Sequence, residues 1–123
     1  MTVGPIVRGD IVEVDLKGAE GNEKRNDSRS GSRPCIIVQN DVGNAVSPLT
    51  QVVPLTDDRQ YKGFPVQVLL TAAELQMPGA KDSSAECGHV RTIDRSRILK
   101  VRGKVDPAAM KRVDQALRVS LSL

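Results

Sequence analysis

Val12, Val14 and Leu16 alternate with Glu13 and Asp15, the period-two pattern of a half-buried strand running from about Asp10 to Leu16 behind the turn residues Gly9-Asp10. From Lys17 to Ser32 the chain is nearly all Gly, Ser, Asn or charged, with only Ala19 apolar, so this stretch reads as a long mobile loop without a core of its own. Hydrophobicity returns abruptly at Arg33-Pro34-Cys35-Ile36-Ile37-Val38 and stops at the polar Gln39-Asn40-Asp41. The run is too short for a buried helix and rich in β-branched residues, which predicts a core strand with Arg33 at its mouth. Pro34 biases Arg33 toward an extended backbone and holds its guanidinium in one direction.

Asp41-Val42-Gly43-Asn44 and Ser47-Pro48 carry turn chemistry. Gln51 to Leu55 predicts a short third strand ending at Thr56-Asp57-Asp58, and Phe64, Val66, Val68 and Leu70 alternate as a fourth strand, with Pro65 near an edge or strand start. Leu99, Val101 and Val105 alternate with Lys100, Arg102 and Lys104, which predicts a late strand with basic side chains on one side and the core on the other. Asp106-Pro107 then signals a helix start, an N-cap side chain followed by proline at the first helical position. Met110, Val113, Leu117 and Leu121 give that helix an apolar stripe to lay on the sheet or a partner. Strands grouped early with a helix last predict an α+β fold, a small curved antiparallel barrel in one domain spanning residues 1–123.

Composition narrows the function. With 39% hydrophobic residues in 123, the chain can bury a core, and no apolar run approaches the roughly 20 residues needed to cross a bilayer. The N-terminus lacks the pattern of a secretory signal, so the expected compartment is the cytoplasm. Cys35 lies within the apolar strand and Cys87 has no ligand at zinc-finger spacing, which argues against a metal site or disulfide framework. The net charge is only +3, yet between Arg91 and Lys104 six cations face the single carboxylate of Asp94. Clustered cations attract polyanions through phosphate contacts, whereas isolated ones are ordinary solvated surface. Aromatic residues, Tyr61 and Phe64, make up 2%, so stacking platforms for bases are lacking and charge and hydrogen bonds would have to hold a nucleic acid.

The chemistry these residues allow is limited. His89 is the sole histidine and the acidic residues are scattered, which disfavours a divalent-ion nuclease and leaves no cofactor to expect. Cys87 and His89 could share a strand face, but no third group orients them as a nucleophile and base. Phosphate-cradling glycine loops are absent as well. RNA, however, carries its own nucleophile in the 2′-OH, and a protein then needs to move two protons and stabilise charge on phosphoryl oxygens. Arg33 suits the latter task. Thr56 offers a hydroxyl donor, although a threonine at a strand end often serves only a turn. Glu23 and His89 are candidate proton carriers, imidazole being the side-chain type that titrates near neutrality.

Several motifs in order resemble the MazF/PemK toxins of bacterial toxin–antitoxin pairs: Arg8-Gly9-Asp10-Ile11-Val12, Arg33 to Asp41, Asn44-Ala45-Val46-Ser47-Pro48, Val53-Pro54-Leu55-Thr56, Arg91 to Ile98 and Val113 to Leu121. The resemblance covers most of the chain. It implies an SH3-like antiparallel β-barrel of the CcdB/MazF/Kid type with a C-terminal helix, and a homodimer neutralised by a MazE-like antitoxin. It also implies an endoribonuclease that cuts single-stranded RNA without metal, leaving 2′,3′-cyclic phosphate and 5′-OH ends. By position, Arg33 and Thr56 match the family's catalytic arginine and threonine. Glu23 matches its loop glutamate, and Gly31, Ser32 and His89 fall where substrate would lie.

The resemblance is not complete. The loop before Arg33, with Lys24, Arg25 and Arg29, is longer than usual in the family, the Arg-x-Asp dyad of the Kid/PemK branch falls on Glu86 and Gly88, and His89 stands where glutamine is common. Arginine is a poor proton acceptor, so Arg33 is expected to stabilise charge or donate, and the general base stays open. The competing expectation is a CcdB-like gyrase-binding toxin, which would need the helix but neither Arg33 nor Thr56.

Overall fold

A computed structural model describes residues 3–27 and 31–123. Its strands are β1 (Asp10–Val14), β2 (Arg33–Ile37), β3 (Leu49–Asp57), β4 (Gln67–Leu70), β5 (Leu75–Gln76), β6 (Ser83–Glu86), β7 (Arg91–Asp94) and β8 (Ile98–Val105). Helix α1 (Asp41–Val46) follows β2, and α2 (Pro107–Leu121) ends the chain. The strands form one antiparallel sheet in the order β4-β6-β3-β2-β1-β8-β5, with β7 added beside β3.

The sheet curls because its ladders are interrupted. Register slips twice between β1 and β8, and such bulges bend a strand and increase its twist. β3 pairs with β7 through Leu49–Val52 and with β6 through Leu55–Asp57, so it changes neighbour at mid-length; Pro54, which has no N–H to donate, lies in the gap. Gly103 permits a close approach where β5 meets β8, since a Cβ there would collide with the Gln76 carbonyl oxygen and the Met77 side chain.

Both faces of the sheet carry apolar clusters. Ile11, Ile36, Val53 and Leu55 pack beneath Ala109, Met110, Val113 and Leu117 of α2. Val12, Val14, Cys35, Ile37 and Val52 pack on the opposite face with Leu16, Ile93 and Ile98. β1 is therefore buried along its whole length rather than half-buried, because β2 and β8 flank it and a cluster covers each face. The alternation of Glu13 with valines does not mark a wet face: Glu13 is buried.

Other elements also depart from the pattern along the chain. Asp41–Val46 is helical, capped by the Asn40 side chain, which accepts from the Gly43 N–H at 2.8 Å. Buried Asn44 locks this helix by donating to the Gln39 carbonyl and accepting from Thr50 Oγ1. The fourth strand begins only at Gln67, after a turn closed by the Phe64 carbonyl. On β8 the core receives Ile98 and Val105 at the two ends, while Leu99 and Val101 are 57% and 44% exposed, so the bulged strand does not sort apolar from basic side chains. α2 starts at Pro107 as expected, but Asp106 makes no side-chain cap bond, and Leu121 at the end of the stripe is exposed.

The described part of the Lys17–Ser32 loop is cross-tied. Asn26 accepts from the Leu16 N–H at 2.7 Å and donates to Asp15 at 2.9 Å, and Arg25 donates to the Ala19 and Gly21 carbonyls. Arg29 lies outside the described residues.

Candidate active site

Pairing between β2 and β3 runs Cys35 with Pro54, Ile36 with Val53 and Ile37 with Val52. Continuing that register by two residues sets Arg33 opposite Thr56, on the same face of the ladder. Both half-buried side chains line one cleft of about 240 Å³, together with Lys81, Asp57 and Arg102. Thr56 is the penultimate residue of β3 and pairs on its other edge with Ser84 of β6. It is thus held in the ladder by β6 and does not sit in a free turn.

Arg33 is fixed by backbone acceptors. Its Nε donates to the Arg25 carbonyl at 2.5 Å and Nη1 to the Leu55 carbonyl at 3.1 Å, while Nη2 has no hydrogen-bond partner among the described residues. Two neutral carbonyls orient the guanidinium without cancelling its charge, which leaves a preorganised cation at a cleft. Asp57 at the same cleft is already committed to Arg59, whose side chain and N–H hold its carboxyl well below the usual carboxylate range.

Glu23 and His89 line a second cleft of about 260 Å³ with Cys35, Pro54 and Arg91. Cys35 and Pro54 lie two residues along their strands from Arg33 and Thr56, so the period-two pleat puts these four side chains on one face, and the Arg33 cleft opens at the end of the ladder, where Pro34 and Leu55 also line it. Sequence-predicted residues therefore come together as two pairs, Arg33 with Thr56 and Glu23 with His89. Glu23 and His89 are exposed, and Glu23 Oε1 accepts from the Glu20 N–H at 3.1 Å.

Gly31 and Ser32 lead into Arg33. Gly31 has a left-handed backbone (φ 71°), and its N–H donates to the Asp27 carbonyl while the Asp27 N–H donates to that of Ser32, which closes the loop ahead of β2. Ser32 is buried and its hydroxyl donates to Glu13 at 2.5 Å, so this side chain faces the protein interior. Burial raises the thiols of Cys35 and Cys87 to about 12, which makes neither a nucleophile. Among the described residues no group of three or more His, Cys, Asp or Glu is placed to hold a metal ion.

Residues 7–121 match the family model described as PemK-like, MazF-like toxin of type II toxin-antitoxin system. The chain belongs to this family. Among relatives of the MazF-like chain, it is 33% identical over 118 residues to endoribonuclease EndoA of Bacillus subtilis (strain 168), covering 96% of each. It is 35% identical over 121 residues to endoribonuclease MazF9 of Mycobacterium tuberculosis, covering 94% of this chain and 96% of the relative. The solved structure of MazF from Deinococcus radiodurans superposes with a TM-score of 0.76 at 23% identity, over 98% of this chain and 100% of that one. A mycobacterial endoribonuclease in complex with its cognate antitoxin gives 0.75 at 20% identity, over 96% of both. The MazF-like fold, an antiparallel curled half-barrel with a C-terminal helix, is thereby established for this chain.

Lys81 and Arg102, which line the Arg33 cleft, and Glu13, which pairs with Arg102, were not singled out from the sequence as candidate site residues. Lys81 lies on a polar connection with no pattern to mark it. Arg102 belongs to the basic strand, and Glu13, behind it, carried only the alternation of β1. Most arginines of that basic segment are bound to the protein itself. Arg95 donates to the Asn44 and Gly4 carbonyls, Arg97 to those of Asp15 and Lys17, and Arg91 to that of Leu16. Much of the charge cluster thus braces loops.

Proposed function

We propose that this protein is an endoribonuclease toxin that cuts single-stranded RNA without a metal ion and is neutralised by a cognate antitoxin. The observation that carries the reading is the juxtaposition of Arg33 and Thr56 in one cleft, within a family whose relatives include named endoribonucleases. In the proposed step the 2′-oxygen bonds to phosphorus as the P–O5′ bond breaks. The 2′-hydroxyl loses its proton, the departing 5′-oxygen gains one, and the ends are a 2′,3′-cyclic phosphate and a 5′-OH. Arg33 and Thr56 donate to the phosphoryl oxygens, where charge grows in the transition state. Glu23 and His89, one cleft along the same ladder, contact the substrate and carry protons. Gly31 and Ser32 set the path by which the loop enters β2 and so aim Arg33.

The same reading includes a homodimer. The stripe of α2 is largely consumed by its own sheet, but Val42 and Val46 of α1 are 78% and 80% exposed beside half-exposed Leu49, apolar surface suited to self-association. Sedimentation at micromolar protein should give twice the chain mass, and a monomer there would refute the dimer.

The deciding experiment incubates the protein with a long RNA in EDTA and maps the ends. Cleavage should persist and leave cyclic phosphates. Loss of cleavage in chelator with recovery in magnesium or manganese would overturn the mechanism.

A further inference from the structure

Glu13 is a buried carboxylate in an interior strand of the sheet, where an unpaired charge would be strongly destabilising. Two groups pair it. Oε1 receives Arg102 Nη1 at 2.6 Å, and Oε2 receives the hydroxyl of Ser32 at 2.5 Å. Ser32 immediately precedes Arg33, so one carboxylate ties the backbone that launches Arg33 to the cation on β8.

The pair is asymmetric. The Glu13 side chain is 9% exposed and that of Arg102 26% exposed, and Arg102 lines the same cleft as Arg33 and Thr56. Its Nη2 also donates to the Pro78 carbonyl at 3.4 Å, while Nε has no hydrogen-bond partner among the described residues. A guanidinium has five N–H donors, so one bound carboxylate and one carbonyl leave donors for a second anion. A pair serving packing alone could be replaced by apolar side chains at no loss, whereas here the acid is inside and the base at the cleft.

We infer that Arg102 contacts an RNA phosphate flanking the scissile one, and that Glu13 is its positioning residue. The inference rests on the RNA-cleaving reading above. Arg102 then supplies binding common to ground and transition states, which raises affinity without changing the chemical step. Arg33, in contrast, acts on the phosphate that reacts.

The test measures binding of fluorescent single-stranded 2′-O-methyl RNA, which lacks the attacking hydroxyl, across a salt series, with single-turnover cleavage of ordinary RNA measured in parallel. Arg102→Ala should weaken binding about tenfold at low salt, the scale of one charge-assisted hydrogen bond. The slope of log affinity against log salt should fall by about 0.7, one phosphate contact fewer. The cleavage rate at saturating RNA should stay unchanged. Glu13→Gln removes a negative charge, so a purely electrostatic role would tighten binding, whereas a positioning role weakens it and has no further effect in the Arg102→Ala background. If Arg102→Ala leaves buried Glu13 without its cation and unfolds the chain, Glu13→Gln with Arg102→Gln removes both charges together and should show the same drop in slope. Wild-type affinity and slope in a folded Arg102 variant would overturn the inference while the nuclease reading stands. Absence of RNA binding and cleavage by the wild-type protein would overturn both.

Discussion

Arg33 Nη1 donates to the carbonyl oxygen of Leu55, the residue immediately before Thr56. The guanidinium is thus bonded across the ladder to the strand that carries its partner, and the spacing between Arg33 and Thr56 follows from the β2–β3 register rather than from a flexible loop. Such coupling suits a site that must meet developing charge with donors already in place.

Arg33→Ala and Thr56→Ala should each lower cleavage by on the order of 100- to 1,000-fold, the typical value of one preorganised donor. Arg33→Lys should not restore activity, because an ammonium cannot reproduce a fork that binds two carbonyls and still offers donors to a phosphate. Single-turnover rates and growth arrest on expression check this. Near-normal arrest by Arg33→Ala would favour a gyrase-binding toxin instead.

His89→Gln separates two roles for the second cleft. Proton transfer by His89 predicts a slower single-turnover rate at saturating RNA. A binding role predicts weaker affinity at an unchanged rate. If both constants match the wild type, His89 has no part in the site.

Gly103→Ala should destabilise the fold by at least about 1–3 kcal/mol, as overpacking does, because the new methyl meets the Gln76 carbonyl where β5 closes on β8. Thermal denaturation reads the effect directly. An unshifted melting temperature would show that β5 can move away at little cost.

Glu74 joins the sheet to α2. The Thr71 N–H and then Arg112 hold its carboxyl below the ordinary value of 4.5. A depressed folded-state value means that the ionised form favours the native state, so its contribution is complete above 4.5 and disappears as pH falls through the lowered value. The stability gap between wild type and Glu74→Gln should accordingly be constant near neutrality and shrink below 4.5 in pH-dependent denaturant titrations. A gap independent of pH would remove the carboxylate from the account.

Cys35 and Cys87 should resist a water-soluble thiol reagent in the native protein at about pH 8 and react at once in denaturant, since burial keeps both as neutral thiols. Rapid labelling of native protein would mean that the core opens locally on the experimental timescale.

Local sequence was informative wherever structure depends on neighbours along the chain. The apolar run after Arg33 became a core strand, the proline at position 107 opened α2, and the stripe of Met110, Val113 and Leu117 met the sheet. The turn residues around Asn40 instead cap a short helix, because the bonds that lock it reach Gln39 and Thr50. β6, Ser83-Ser84-Ala85-Glu86, has little apolar alternation and is a strand because β3 and β4 pair with it on both edges.

The site divides along the same line. Sequence by itself determined the strand start that holds Arg33, the neighbourhood of Thr56, the C-terminal helix and the family-like order of motifs, all of which are encoded over a few adjacent residues. Only the tertiary structure decided that Arg33 and Thr56 share one cleft while Glu23 and His89 share the next, that Ser32 turns inward, and that Arg102 and Glu13 meet across 89 positions of chain. Those outcomes depend on strand register and on which faces of the sheet are covered. Both are set by pairing between distant segments, where a shift of one residue would send every side chain to the other face.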